Sequence, residues 1–199
     1  KDGSYRADRF LRASDLTGNL GQDNNPEWKT IAVDADGELV SPQGAIGYRW
    51  GEKGKWNIEA KEGGAGREVD LKLSLIDTGD SAEVAFPYFG GQTHEYFTAV
   101  EGDDIQLRRV PVRSIALADG SAAKVASVFD LMAANLAIDR GLGGQNVASS
   151  YDDARTPGTP AWQEQITGVA REKAIQVARE FATNADKTHG RSMIIVGAA

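Results

Sequence analysis

A β-hairpin and a half-buried strand are predicted by the spacing of apolar positions in the first part of the chain. Residues 31–33 (Ile-Ala-Val) and 38–40 (Glu-Leu-Val) flank residues 34–37 (Asp-Ala-Asp-Gly). Asp and Gly tolerate the positive φ that tight hairpin turns need, so a β-turn is expected between the two strands. Residues 69–75 (Val-Asp-Leu-Lys-Leu-Ser-Leu) alternate regularly, which predicts a strand with Leu73 in the core.

A second hairpin is predicted further along. Residues 105–112 and 113–118 have strand patterns and lead to a turn signal at Asp119 and Gly120. Pro111 cannot donate a main-chain hydrogen bond to a neighbouring strand, so it indicates a sheet edge or a bulge.

Apolar residues at helical spacing predict four helices. Thr159 is placed to cap one of them, with Pro160 in its first turn. The last helix has the strongest pattern, with Ala174, Val177, Ala178 and Phe181 on one face and Phe181 expected in the core. The predicted helices cover residues 4–19, 128–140, 160–167 and 170–185, and the second has Val128, Leu131, Met132, Leu136 and Ile138 on one side.

The end of the chain predicts a buried strand. Residues 192–196 (Ser-Met-Ile-Ile-Val) lack polar alternation, as strands covered on both faces do. A helix normally follows such a strand, so we expect a piece of a longer polypeptide; the alternative is an edge strand with a short tail. The predicted fold class is α/β (mixed α+β), with an N-terminal helix and connection at 1–26, a β-rich segment at 27–126 and a helical segment at 127–199.

Composition excludes several kinds of protein. The 199 residues carry a net charge of −7 and no cysteine, so disulfides, zinc–thiolate sites and cysteine-ligated iron–sulfur clusters are excluded within them. An acidic chain with dispersed basic residues is poorly suited to bind nucleic acid or an anionic membrane surface unaided. No run of about 20 apolar residues is present to form a transmembrane helix.

The polar residues offer little catalytic chemistry. His94 and His189 each lack a second histidine at metal-ligand spacing. Residues 34–37 resemble the start of a calcium loop, but Ala45 stands where the bidentate Glu belongs, which favours a plain turn. Asp152 and Asp153 are a candidate carboxylate pair, although adjacent residues do not readily face one reaction centre and Asp is common in turns.

Aromatic residues among the strands have two interpretations. They could line a sugar-binding face, but aromatics between strands more often belong to a core or an interface. We expect at least two of Trp50, Trp56, Tyr88 and Phe89 to be more exposed than Leu73 and Phe181. The full set is Trp50, Trp56, Phe86, Tyr88, Phe89, Tyr96 and Phe97.

Small residues after the last predicted strand are a weak sign of a ligand site. In open α/β sheets, ligands bind beyond the carboxyl ends of strands, where small residues let the backbone approach a pyrophosphate or a pterin. Gly197, Ala198 and Ala199 occupy that position.

Several long motifs carry a family resemblance. Residues 159–169 (Thr-Pro-Ala-Trp-Gln-Glu-Gln-Ile-Thr-Gly-Val) and 178–182 (Ala-Arg-Glu-Phe-Ala) are similar to molybdopterin-dependent oxidoreductases. Further segments narrow the resemblance to the catalytic (alpha) subunits of membrane-bound respiratory nitrate reductases, over essentially the whole chain. These segments are residues 25–30, 49–57, 86–91, 150–153 and 185–197.

The resemblance implies an internal fragment of a multi-domain enzyme. The parent would reduce nitrate to nitrite at a molybdenum held by two molybdopterin guanine dinucleotides (bis-MGD). Electrons would come from quinol through a haem-bearing membrane gamma subunit and an iron–sulfur beta subunit, at the cytoplasmic face of the bacterial inner membrane. The metal ligand and the [4Fe-4S] cluster motif of the family lie upstream of the region matched here.

For this chain, the resemblance implies a supporting part without catalytic or metal-ligating residues. The fragment would be scaffold and cofactor-pocket wall, inactive and without bound cofactor when alone. Gly197, Ala198 and Ala199 are the candidate cofactor contacts, and Ala199 departs from the Gly of many family members. His189 lies before the strand, so a loop or capping role is favoured over a pocket role.

Two other functions stay open. A related molybdopterin oxidoreductase would act on chlorate, selenate or another substrate, and these residues do not choose among substrates. A free-standing β-rich binding module that uses the aromatic strands is the remaining alternative.

Overall fold

The computed structural model describes residues 9–16, 30–41, 71–87, 105–188, 191–195 and 197. They form a small mixed α/β structure with short two-stranded sheets and three α-helices among the described residues. The strands are β1 (Ala32–Val33), β2 (Leu39–Val40), β3 (Ser81–Pro87), β4 (Ile105–Pro111), β5 (Arg113–Ala116) and β6 (Ala122–Val125). The helices are α1 (Val128–Asn135), α2 (Pro160–Thr167) and α3 (Arg171–Lys187).

The chain divides into two compact units. Of the described residues, the first contains 9–16, 30–41, 71–80 and 111–130, and the second contains 81–87, 105–110, 131–188, 191–195 and 197.

Both predicted hairpins are present in the first unit. β1 and β2 are antiparallel, with Ala32 opposite Val40, and the turn between them is closed by a bond from the Gly37 N–H to the Asp34 carbonyl oxygen (3.0 Å). β5 and β6 are antiparallel around the turn that contains Gly120, whose φ is +82°. Such a φ is costly for a residue with a Cβ, which explains why Gly stands there. Their apolar side chains pack with Leu16 in a cluster of Leu16, Ile115 and Leu117, bordered by Leu11, Ile31, Leu39, Ala123 and Val125.

The predicted strand over residues 69–75 is wrong where the structure describes it. Leu71 makes one antiparallel bridge to Asp34, and residues 72–75 belong to no strand. Leu73 is 66% exposed and therefore is not a core residue. The buried Asp130 carboxylate accepts bonds from the Ser74 hydroxyl and the Leu75 N–H, both at 2.8 Å. These bonds hold the segment in an irregular path that alternation along the sequence does not reveal.

The predicted N-terminal helix is also wrong over the described residues 9–16. They contain only a short 3-10 turn at Ala13–Asp15, flanked by bridges from Arg12 to Thr30 and from Leu16 to Leu117. Extended pairing with other segments replaces the helical hydrogen bonds here, because Leu16 is buried against the second hairpin.

The second unit contains β3 paired with β4, together with α2 and α3. In β4, Gln106, Arg108 and Val110 are buried whereas Ile105 and Arg109 are exposed, and Pro111 ends the strand. Val110 and Ala137 are fully buried in this unit, and Phe86 and Ala161 are nearly so.

Helix α1 is shorter than predicted and buries a different face. It ends at Asn135, and Ala137 follows with a φ of +60°. The buried positions are Asp130, Ala133, Ala134 and Ala137, whereas Val128, Met132, Leu136 and Ile138 are exposed. The small residues allow close approach of neighbouring backbone, and this packing outweighs the apolar stripe on the other side.

The predicted positions of helices α2 and α3 along the chain are confirmed. Thr159 caps α2 by accepting a bond from the Trp162 N–H (3.1 Å), Pro160 is in the first turn, and Gly168 ends the helix with a φ of +71°. No residue of α3 is buried, however, so Phe181 is not a core residue.

The predicted buried C-terminal strand is wrong for this structure. Residues 191–195 lie in no strand, and Met193, Ile194 and Ile195 are 77%, 76% and 82% exposed. A β-forming sequence becomes a strand only when a neighbouring strand accepts and donates its main-chain hydrogen bonds. No described strand pairs with this segment.

Candidate functional site

Arg108 of β4 is the most deeply buried cation among the described residues, with 2% of its surface exposed. Its Nη1 donates to the carbonyl oxygens of Ala134 (2.6 Å) and Asn135 (3.0 Å) at the C-terminal end of α1. Its Nε and Nη2 donate to the carbonyl oxygens of Gln145 (3.0 Å) and Asn146 (2.9 Å). A buried charge is tolerated only when it is hydrogen-bonded, and the end of a helix offers partial negative charge. Arg108 therefore fixes the loop after α1.

Gly144 lets that loop lie directly against β4. It makes a bridge to Arg108, and the Gln145 N–H donates to the Leu107 carbonyl oxygen (2.8 Å). The φ of Gly144 is +131°, and an added Cβ would lie 2.7 Å from the Cα of Arg108. No side chain fits at that distance, so glycine is required here.

The same loop borders an open cavity of about 730 Å³. Its polar lining is main chain, amide, hydroxyl and carboxylate, with Arg155 as the cation. The lining residues are Gly144, Asn146, Val147, Ser149, Asp152, Asp153, Ala154, Arg155 and Thr156.

Asp153 organises the wall of this cavity. Its carboxylate accepts bonds from the Ser149 N–H (3.2 Å), the Thr156 hydroxyl (2.8 Å) and the Arg155 N–H (3.0 Å). These donors, the Ser149 N–H foremost, hold the pKa of the Asp153 carboxyl well below its ordinary value. Asp153 is therefore ionised at neutral pH, and its carboxylate is hydrogen-bonded to residues of its own loop.

Asp152, the neighbouring carboxylate, makes a different contact. The Asp152 carboxylate lies 2.9 Å from the Nε of Arg171 at the start of α3. Arg171 also lies 3.3 Å from the Glu164 carboxylate of α2. The two carboxylates therefore make separate contacts, which supports the interpretation of Asp152 and Asp153 as structural turn residues.

The calcium-like sequence at residues 34–37 is a β-turn, as predicted. The Asp34 carboxylate accepts a bond from the Glu38 N–H (2.8 Å), which uses the side chain to close the turn. No group of three or more His, Cys, Asp or Glu side chains among the described residues is arranged to hold a metal ion.

Several predicted candidates lie outside the described residues. They are His94, His189, Ala45, Ala198, Ala199, and the aromatics Trp50, Trp56, Tyr88, Phe89, Tyr96 and Phe97. Phe86 is described and is buried, which supports the core interpretation for that aromatic residue.

Gly197 is the described member of the predicted cofactor contact. It is exposed, and an added Cβ would meet no atom within 4 Å. The described residues therefore form no pocket around Gly197 that would fit a pterin cofactor.

Comparison with known proteins identifies the family. The chain is 58% identical over all 199 residues to the respiratory nitrate reductase 1 alpha chain of Escherichia coli. It is 53% identical over 198 residues to the respiratory nitrate reductase 2 alpha chain of the same organism, and 38% identical over 200 aligned positions to the nitrate reductase alpha chain of Bacillus subtilis. The chain belongs to the nitrate reductase alpha-chain family. No protein-family model matches it.

Within the nitrate reductase alpha-chain family, this chain corresponds to a part of the whole protein. It spans 16% of the length of each Escherichia coli relative and 15% of the Bacillus subtilis one. The predicted family resemblance is thus confirmed over the full length of the chain.

Arg108 and Gly144 are the site residues that sequence reasoning did not single out. Gln106, Arg108 and Val110 share one face of β4, and all three are buried. A polar residue at an alternating position normally indicates the exposed face of a strand. The sequence pattern therefore places Arg108 on the exposed face, whereas the structure buries it. The adjacent Gly143 and Gly144 were the available clue, because paired glycines often mark close backbone approach.

No helix among the described residues is long and apolar enough to cross a membrane.

Proposed function

We propose that this chain is part of the catalytic subunit of a respiratory nitrate reductase. The observation that carries the proposal is 58% identity over every residue of the chain to a respiratory nitrate reductase alpha chain. The parent enzyme would convert nitrate, two electrons and two protons into nitrite and water. Quinol would supply the electrons.

The role of these residues would be scaffold and cofactor-pocket wall. Support comes from what the polar side chains of the second unit already do: Arg108 holds four main-chain carbonyls and Asp153 holds its own loop. Groups committed in this way position backbone and are not free to act on substrate. The parent's bis-MGD molybdenum would supply the oxygen-atom transfer chemistry, and a [4Fe-4S] cluster would supply electrons.

Gly197, Ala198 and Ala199 would contribute small residues to the wall of the cofactor pocket, completed by polypeptide outside these 199 residues. Support comes from the small size of these residues and from their place directly after an apolar segment, where backbone can approach a ligand closely. The iron–sulfur beta subunit and the haem-bearing gamma subunit would be partners in the parent complex, at the cytoplasmic face of the inner membrane.

Nitrate reduction by the parent polypeptide tests the proposal. The parent would be produced with its molybdenum cofactor and supplied with a reduced viologen dye, and nitrite would be measured. Chlorate and selenate are the competing substrates, and the 199-residue chain is the control, expected to form no nitrite. A parent that reduces chlorate or selenate but not nitrate would overturn the assignment, as would activity of the 199-residue chain.

The cofactor contact has its own test in the parent polypeptide. Gly197→Leu places a large side chain in the proposed pocket wall, whereas Gly197→Ala adds one methyl group. We expect Gly197→Leu to lower the molybdenum content per folded protein several-fold and Gly197→Ala to leave it nearly unchanged. Equal molybdenum content in both variants would contradict the contact.

A further inference from the structure

Helix α3 carries an apolar stripe that the described structure leaves uncovered. Val177 and Phe181 lie one turn apart, and they are 64% and 40% exposed. Not one of the 17 residues of the helix is buried. Helices of this length in proteins derive most of their stability from burying an apolar face. We therefore expect another structural element to cover this apolar stripe.

The segment after α3 extends this apolar surface. The Asn184 side-chain amide donates to the Ser192 hydroxyl (2.8 Å), and that hydroxyl donates to the Phe181 carbonyl oxygen (2.9 Å). These bonds tie the start of the segment to the C-terminal half of the helix. Three consecutive apolar residues follow, and each is more than three quarters exposed. We name Val177, Phe181, Met193, Ile194 and Ile195 the α3 surface.

The main chain of this segment is not paired with any strand of the described structure. Met193, Ile194 and Ile195 belong to no strand or bridge of the described structure. Their sequence is that of a strand, rich in β-branched residues, and unpaired main-chain groups beside exposed apolar side chains form a template for strand pairing. A partner that provides a strand to pair with this main chain and an apolar face to cover these side chains would satisfy both needs.

Charge and length decide which occupant fits. The residues of α3 include four bases and three acids, without the excess of Lys and Arg that draws a helix to an anionic membrane. The chain spans 16% of the length of its Escherichia coli relative, so most of such a protein is available to cover the surface.

We infer that the α3 surface is an internal docking surface, covered in the parent by other polypeptide of the same catalytic subunit, with residues 193–195 paired to a strand from outside these 199 residues. The inference rests on the proposed function only in taking this chain as part of a longer subunit. It adds which residues of the chain meet the remainder and by what kind of contact.

Hydrogen exchange measured on the parent polypeptide and on the 199-residue chain tests this. We expect the amides of residues 193–195 to exchange at least about tenfold more slowly in the parent, because paired amides open rarely. Equal exchange in the two proteins would overturn the inference. Slowing in the 199-residue chain that grows with its concentration would assign the surface to a second copy, and slowing only with anionic phospholipid vesicles would assign it to a membrane; either result would also overturn it.

Substitutions supply an independent readout. Phe181→Asp and Ile194→Asp should reduce the soluble folded yield of the parent about tenfold or more, yet change the thermal midpoint of the 199-residue chain little, because both side chains are exposed there. Glu180→Gln, on the polar side of α3, is the matched control and should be neutral in both. Equal effects of Phe181→Asp in both proteins would contradict the inference. Nitrite formation is measured on the same preparation of the parent. If the α3 surface is covered but the parent does not reduce nitrate, only the proposed function is refuted.

Discussion

The guanidinium of Arg108 lies 2.6 Å from the carbonyl oxygen of Ala134, so a strand side chain holds the end of a helix. The same guanidinium binds the loop that follows the helix, at Gln145 and Asn146. One buried cation thus joins β4, α1 and the loop that borders the cavity of the second unit.

Replacing Arg108 should be among the most damaging single changes in the second unit. Arg108→Lys keeps the charge but not the fork of donors, so several buried carbonyls lose their partner. We expect a loss of about 2–4 kcal/mol in the free energy of unfolding, measured by urea denaturation of the 199-residue chain. Arg109→Lys is the control, because Arg109 is exposed and bonds to Ser81; a loss there equal to that of Arg108→Lys would contradict the argument.

Gly144→Ala should destabilise the chain more than Gly143→Ala. Both glycines have a positive φ, +131° and +78°, but only at Gly144 would the new Cβ strike backbone, 2.7 Å from the Arg108 Cα. We expect about 1 kcal/mol of loss for Gly143→Ala from its φ alone, and at least about twice that for Gly144→Ala. The same urea titration measures both, and losses of similar size would show that the contact yields freely.

The Asp153 loop should weaken in acid. The pKa of the Asp153 carboxyl is held below its ordinary value in the folded chain, so the unfolded chain binds the proton more readily. Its contribution to stability is therefore complete above about pH 4, the ordinary range for Asp, and is lost as the pH falls through the lower folded value.

Asp153→Asn tests this contribution. At pH 7 the urea midpoint of the variant should be lower than that of the unsubstituted 199-residue chain. The difference between the two midpoints should shrink toward pH 3. Asp152→Asn is the matched control, because the Asp152 side chain is largely exposed and its contact is one ion pair with Arg171. A constant difference between pH 7 and pH 3 would refute the role given to the Asp153 charge.

Thr159→Ala should cost about 1 kcal/mol, because the Trp162 N–H would lose its capping oxygen. Thr159→Ser retains the hydroxyl and should lose less than half as much. Hydrogen exchange at the Trp162 amide is the local measurement, and unchanged protection in Thr159→Ala would exclude the cap as a source of stability.

Local chemistry made the turns and caps predictable. The hairpin turns at residues 34–37 and 119–120, the Thr159 cap and the Gly168 helix end depend on residues within four positions of one another. Such features are determined by φ preferences and short side chains, so a linear sequence contains all their causes.

Burial was not predictable in the same way. Leu73 and Phe181 have core-like sequence positions but are exposed, while the cationic Arg108 is buried. A pattern marks which face is apolar, but it does not state whether another element covers that face, nor that four distant carbonyls will satisfy one guanidinium.

By itself, the sequence determined the family, through motifs along the whole chain, and the elements governed by neighbouring residues: two hairpins, α2 and α3. Only the tertiary structure decided which faces are covered, that residues 193–195 lie exposed after α3, and that Arg108 and Gly144 hold the loop of the second unit. The reason is physical: turns and caps use bonds between near neighbours, whereas burial and buried charge depend on partners distant along the chain.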